Sequence, residues 1–199
     1  MNNAAASEPL APRRIWLTGA DGEIGRALAD KLLQTGHALA LTAVDPTQLL
    51  DLAERHPAQV LLVPGDIQRS GQLQDMADLI VAQWGALDCA ICLDKRFTGA
   101  DSVAAQASAA PMLEASLYMQ EALLLLRHGH RPHLLGVATF ANQIGADLCQ
   151  VFAALSVDLV DEGIEVSMID LCGSQSLEPD NAAQRVVEHL ARSHSSKNH

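Results

Sequence analysis

Positive charge is scarce in this chain. Its 199 residues carry 13 Lys and Arg against 24 Asp and Glu, a formal net charge of −11. So acidic a surface repels polyanions, which argues against nucleic acid and anionic membrane as partners. Long apolar runs are lacking as well, and none reaches the length that spans a bilayer. Met1–Pro12 is polar and Ala-rich, without the apolar segment of a secretory leader, so the cytoplasm is the expected compartment. Cysteine is limited to four residues. Cys89 and Cys92 form a C-x-x-C, but inside the apolar run Leu87–Leu93, which reads as a buried strand. Alternation puts positions three apart on opposite faces, so core packing is expected rather than redox chemistry or chelation. Cys149 and Cys172 read the same way. Tyrosine occurs once, as Tyr118. No G-x-S-x-G, H-E-x-x-H or Walker lysine pattern is present.

What the chain does have is apolar content, 49% of its residues, enough for one domain with a sizeable core. Its organising stretch is Arg14-Ile-Trp-Leu-Thr-Gly-Ala-Asp-Gly-Glu-Ile-Gly-Arg-Ala-Leu-Ala29. A short strand runs into a glycine-rich turn and then directly into an amphipathic helix. Gly19 permits the tight turn, Gly22 lets backbone approach a ligand phosphate, and Gly25 lets helix pack closely on strand. The N–H groups at the start of the helix offer an anion site. This placement points to a dinucleotide-binding turn.

The rest of the chain alternates strand and helix. Strands are expected at Arg14–Thr18, Ala38–Ala43, Val60–Val63, Leu87–Leu93, His133–Thr139 and Ile164–Leu171. The first helix stops at Gly36, and Asp45-Pro46 caps and opens the second. Further helices are expected over Gln72–Trp84, Met112–Leu126, Asn142–Glu162 and Pro179–Arg192. Met112–Leu126 is apolar on nearly every side and should be buried on two faces. Asp94–Ala110 reads as a loop or poorly formed helix. This alternation requires parallel strands, right-handed crossovers and helices on both faces: a doubly wound α/β sheet of about six strands. Residues 1–12 read as a loose arm, 13–192 as a single domain and 193–199 as a disordered tail.

This order, with Thr18-Gly-Ala-Asp-Gly-Glu-Ile-Gly25, resembles the short-chain dehydrogenase/reductase family, in the T-G-x-x-G-x-x-G variant of its extended and atypical members. Asp66-Ile67 stands where the family has an Asp–aliphatic pair after strand three, with the Asp facing the adenine. Leu87-Asp88 and Gly163-Ile164-Glu-Val166 are similar too. The resemblance implies a three-layer α/β/α Rossmann fold and an NAD or NADP site. That site is expected at Gly19, Asp21, Gly22, Glu23, Ile24, Gly25, Asp45, Asp66 and Ile67. It also implies a homodimer through helices 112–126 and 142–162.

The family's catalytic residues do not follow. Its chemistry uses a Tyr whose pKa is lowered by a Lys four residues on, since an unassisted phenol is a poor proton donor and acceptor near neutrality. Those positions fall near Ala141 and Gly145. Tyr118 lies upstream of strand five, and beyond Lys95 the one lysine is Lys197, so no Tyr-x-x-x-Lys exists and no catalytic residue is assigned. Thr139 stands near the family's Ser, where its hydroxyl either bonds a ligand or ties off a strand end. Cys92-Leu-Asp-Lys95 replaces the Asn-Asn-Ala-Gly that ends strand four in the family, and the seventh strand of its single-domain members does not follow the last helix.

Cofactor binding stays open between two readings. Asp21 and Glu23 would oppose phosphate charge unless they point to solvent, where they favour the helix amino end. Asp45 either bonds an adenosine ribose, favouring NAD, or caps the following helix. No Lys or Arg ends strand two to hold a 2′-phosphate, which disfavours NADP. Asp66 either serves the adenine or caps its own loop. His128-Gly-His130-Arg-Pro-His133 reads as a solvated basic turn rather than a metal site, since no carboxylate or thiolate lies near it in sequence. Two functions follow: a non-catalytic binding, sensing or scaffold protein, or an atypical oxidoreductase using Asp94, Lys95 or Thr139. A subunit completed by a partner is a third.

Overall fold

The computed structural model describes residues 11–67, 69–93, 110–138, 143–171 and 178–195, with side chains left out at 70, 110–115, 143–148 and 193–195. Among the described residues, thirteen elements, strands and helices, build one sheet with helices on both sides. The strands are β1 (Arg14–Leu17), β2 (Ala38–Ala43), β3 (Val60–Pro64), β4 (Cys89–Cys92), β5 (His133–Ala138) and β6 (Glu165–Asp170). The α-helices are α1 (Glu23–Gln34), α2 (Leu50–Arg55), α3 (Ser70–Trp84), α4 (Ala110–Leu126), α5 (Gln143–Asp158) and α6 (Pro179–Ser195), and a 3₁₀ turn, Pro46–Leu49, precedes α2.

The strands pair in the order β3-β2-β1-β4-β5-β6, all in parallel. The order reverses between β1 and β4, and in open α/β sheets ligands bind above the carboxyl ends of the strands at such a reversal. One face of the sheet packs against α1 and α6 through Ile15, Leu17, Leu28, Leu32, Val186 and Leu190. The other packs against α3, α4 and α5 through Trp16, Met76, Ile80, Tyr118, Leu126 and Phe152. Leu28 and Leu32 are fully buried, worth up to about 1.5–3 kcal/mol each relative to exposure. Cys89 belongs to the first face and Cys92 to the second, as strand alternation requires.

Helix α1 ends in a Schellman cap. Gly36 at φ +88° lets its own N–H reach Leu33 O at 3.0 Å and the His37 N–H reach Leu32 O at 3.2 Å. Most element ends fall within two residues of expectation, and two helix ends differ by more. Helix α5 stops at Asp158, four residues before Glu162, because the chain turns through Leu159–Gly163, with Ile164 N–H bonding back to Leu159 O at 3.3 Å. Helix α6 continues to Ser195, because Ala191-Arg-Ser-His194 holds no glycine or proline to stop it. The expected tail therefore begins inside α6. Helix α4 is also less enclosed than its composition predicts: Leu124 is 53% exposed on its outer side.

The amino ends of the strands carry a polar knot. Asp88, just before β4, accepts from Arg14 N–H (2.9 Å), Nε (2.9 Å) and Nη2 (2.7 Å) and from His130 N–H (2.7 Å). Arg13 Nη2 bridges the carbonyls of Asp88 and Arg131 at 2.6 and 2.7 Å. This bundle of charge-assisted bonds ties β1, β4 and the loop before β5 together. His128 and His130 are exposed while His133 is buried in β5, which separates the three histidines of that loop.

Candidate functional site

The site begins where β1 leaves the sheet. Thr18 is buried and bridges to the exit of β4. Its N–H donates to Ile91 O at 3.2 Å, and its hydroxyl accepts from Leu93 N–H at 3.0 Å and lies 3.2 Å from Leu93 O. The floor of the candidate site is thus one hydrogen-bonded unit. Nothing in the glycine spacing pointed to this latch; the available signal was a hydroxyl ending an apolar strand.

Gly19 follows at φ +66°, a left-handed turn that favours glycine. Its carbonyl accepts from Gly22 N–H at 3.1 Å. A Cβ on Gly25 would sit 2.1 Å from that same carbonyl oxygen, so only glycine lets α1 pass this close to the turn. Gly22 is the N-cap of α1, with no side-chain cap bond, and its carbonyl accepts from Arg26 N–H at 2.8 Å. Among the described residues no side chain caps the first-turn N–H groups, those of Glu23, Ile24 and Gly25, and they present the positive end of the helix dipole that suits an anion. Glu23 is exposed and Asp21 half-buried. Ile24 packs against the core beside α1.

Two neighbouring strands deliver the remaining candidates to the same rim. Asp45 follows β2 and is exposed. Its carboxylate accepts from Thr47 Oγ1 at 2.6 Å and Thr47 N–H at 3.0 Å, so it is the N-cap of the 3₁₀ turn. The Thr47 hydroxyl, then its amide, hold the Asp45 carboxyl below its ordinary value. Arg26 fastens this turn to α1, donating to Gln48 O at 2.6 Å and to the Asp51 carboxylate. Asp66 follows β3: its N–H donates to Gln72 Oε1 at 2.7 Å and its Oδ2 lies 4.0 Å from Arg69 Nε. Ile67 packs against the α3 side of the core. Gly19–Gly25, Asp45 and Asp66 thus lie along one edge, at the carboxyl ends of β1, β2 and β3.

The tyrosine is elsewhere. Tyr118 on α4 is fully buried, its ring edge-on to Trp16 with centroids 4.8 Å apart. Its hydroxyl lies 3.2 Å from Trp16 O and 3.4 Å from Ile91 O, both backbone acceptors. Burial pushes this phenol well above its ordinary pKa. Asp94, Lys95, Thr139, Cys172 and the position at Ala141 lie outside the described residues; Gly145 lies in α5, as does Cys149, which is exposed rather than packed in the core as expected.

Over residues 19–94 the chain matches the family described as Enoyl-(Acyl carrier protein) reductase. Across 75 residues it is 32% identical to the cis-2,3-dihydrobiphenyl-2,3-diol dehydrogenase of Pseudomonas sp. strain KKS102, which covers 38% of this chain and 27% of that enzyme. The chain thus aligns with about a quarter of that relative's length. A short-chain dehydrogenase from Streptomyces avermitilis superposes with a TM-score of 0.73 at 15% identity, covering 90% of this chain and 84% of that one. A metagenomic short-chain oxidoreductase in complex with NADP gives 0.74 at 20% identity, covering 92% of both chains. The fold is that of the short-chain dehydrogenases. The family match begins at Gly19 and ends just past β4, so the sequence likeness covers the turn and rim described above.

Proposed function

We propose that this chain is a short-chain dehydrogenase/reductase relative that binds a nicotinamide dinucleotide at the β1–α1 turn without using the Tyr–Lys proton transfer. Its role is then to bind, sense or scaffold. One observation carries the second half of this reading: the chain's single tyrosine, Tyr118, has its hydroxyl directed at backbone carbonyls inside the core. No Tyr-x-x-x-Lys can be written anywhere in the sequence.

The binding half rests on the close approach of Gly25 to the Gly19 carbonyl and on the uncapped start of α1. In this reading the first-turn N–H groups hold the pyrophosphate, Asp45 meets the adenosine ribose and Asp66 stands by the adenine. NAD is preferred over NADP, because the end of β2 presents a carboxylate and no Lys or Arg. The nicotinamide supplies hydride chemistry when bound; this chain's own residues position the nucleotide and hold no assigned proton. Steady-state assays of the pure protein with each nicotinamide cofactor, over a panel of carbonyls and alcohols, test this directly. No turnover above background is expected. Robust turnover would replace this reading with the atypical oxidoreductase.

A further inference from the structure

Toward the amino ends of β5 and β6, away from the nucleotide rim, three polar side chains meet between the sheet and α6. Ser167 Oγ on β6 stands 2.7 Å from Nε2 of His133 on β5 and 2.9 Å from Nε2 of His189 on α6. The two imidazoles lie 6.4 Å apart between centroids, tilted by 36°.

A serine hydroxyl has one proton to donate and two lone pairs. With both rings neutral, one imidazole N–H donates to Oγ and Oγ–H donates to the other ring's bare nitrogen. One added proton turns that acceptor into a second donor. Oγ then accepts from both rings, and its own proton must turn away. A second proton makes both rings cationic at 6.4 Å. Such closely spaced groups titrate in separate steps that belong to the pair.

We propose that the His133–Ser167–His189 cluster is a pH-sensitive latch that holds α6 on the β5–β6 edge and loosens it as protons are taken up below neutrality. The charged groups acting on His189 are Arg192, further along α6, and Glu165 on β6. Burial first, and then Arg192, push His189 below its ordinary value, with Glu165 opposing them. On β6 the residue in register with His133 is Glu165; on β4 it is Cys89, a thiol that burial raises to about 11 and that therefore stays neutral throughout. On α1, which packs along α6, the paired charge is Lys31, 3.8 Å from Asp180 at the opposite end of α6. The latch reaches the nucleotide rim through packing: Val186 and Leu190 of α6 share one core cluster with Leu28 and Leu32 of α1.

The test is amide hydrogen exchange of the full chain without nucleotide, so that it is independent of cofactor binding. Between about pH 7.5 and 5.5, protection of α6 amides relative to α3 amides is expected to fall by about tenfold, after correction for intrinsic exchange. A His189→Gln variant, whose amide can still reach Ser167 but does not titrate, is expected to lose that pH dependence. Unchanged relative protection in the natural chain, or the same acid loss in His189→Gln, would overturn the latch. Should His189→Gln not fold, imidazole NMR titration of the natural chain replaces it. Two separated steps for His133 and His189 support the latch, and independent titration of both near the ordinary histidine value refutes it.

Discussion

The Tyr118 hydroxyl lies 3.2 Å from the backbone carbonyl of Trp16, beneath the middle of the sheet. That contact makes the one phenol of this chain a structural donor. Changing Tyr118 to Phe should cost about 1 kcal/mol, the net worth of a buried hydrogen bond, as read by urea unfolding. Nucleotide binding should not change. A variant that loses binding while keeping its stability would return Tyr118 to the site.

Gly25→Ala tests the turn. The added methyl would lie 2.1 Å from Gly19 O, and the backbone has to separate to admit it. Overpacking of this kind costs about 1–3 kcal/mol, and the turn it displaces is the proposed pyrophosphate cradle. A lower unfolding midpoint together with loss of dinucleotide binding, measured by calorimetry, is expected.

Asp88 should matter more for stability than any rim carboxylate. Its side chain is 7% exposed and serves Arg14 and the His130 amide. Burial raises its pKa, but the hydrogen bonds from Arg14, then its amide and that of His130, more than offset this, leaving it below the ordinary value. With the folded value lowered, the stabilisation is present above the unfolded carboxyl pKa and lost as pH falls through the folded one. Asp88→Ala leaves Arg14 without that partner at the strand ends, at a cost of about 3 kcal/mol. Asp45→Ala should cost about 1 kcal/mol or less, since it removes an exposed cap. Urea midpoints of the two variants rank them.

His37 adds a second pH effect, opposite in charge and higher in range. Its Nδ1 accepts from Arg13 N–H at 3.1 Å; burial, then Arg13, hold its pKa below the ordinary value. The neutral ring is the one that fits, so its stabilisation is complete above the unfolded histidine pKa and lost as pH falls through the folded one. Global stability should therefore drop between neutral and mildly acidic pH, and His37→Gln should flatten that drop.

The outer sides of α4 and α5 leave Leu124 53% and Val157 72% exposed. A homodimer through 112–126 and 142–162 would cover them. Sedimentation at micromolar concentration should find dimers, and Leu124→Glu with Val157→Glu should give monomers. A monomeric natural chain would contradict this assembly.

Much of the architecture was legible because its signals are local. The strand–glycine–helix stretch from Arg14 to Ala29, the stop at Gly36 and the alternation of short apolar runs all act within one or two turns of chain. The cap formed by Asp45 and the opposite faces of Cys89 and Cys92 were legible for the same reason. The Thr18–Leu93 latch, the Arg13–Asp88–Arg131 bridge and the meeting of His133 with His189 were not. Each joins residues far apart in sequence, and only the sheet order makes them neighbours. The carboxyl ends of α5 and α6 were less legible: the turn after Asp158 depends on Ile164 bonding back to Leu159, while α6 runs on because nothing interrupts it. For the candidate site, the glycine turn and the absence of a Tyr-x-x-x-Lys could be read directly from the sequence. The burial of Tyr118 against Trp16 required the fold.

Calorimetric titration of the pure chain with NAD, NADH, NADP and NADPH tests the central claim most directly. Saturable binding at one site per chain, tighter for NAD or NADH than for the 2′-phosphorylated forms and absent in Gly25→Ala, is the predicted result. No heat of binding with any of the four, from a folded protein, would contradict it.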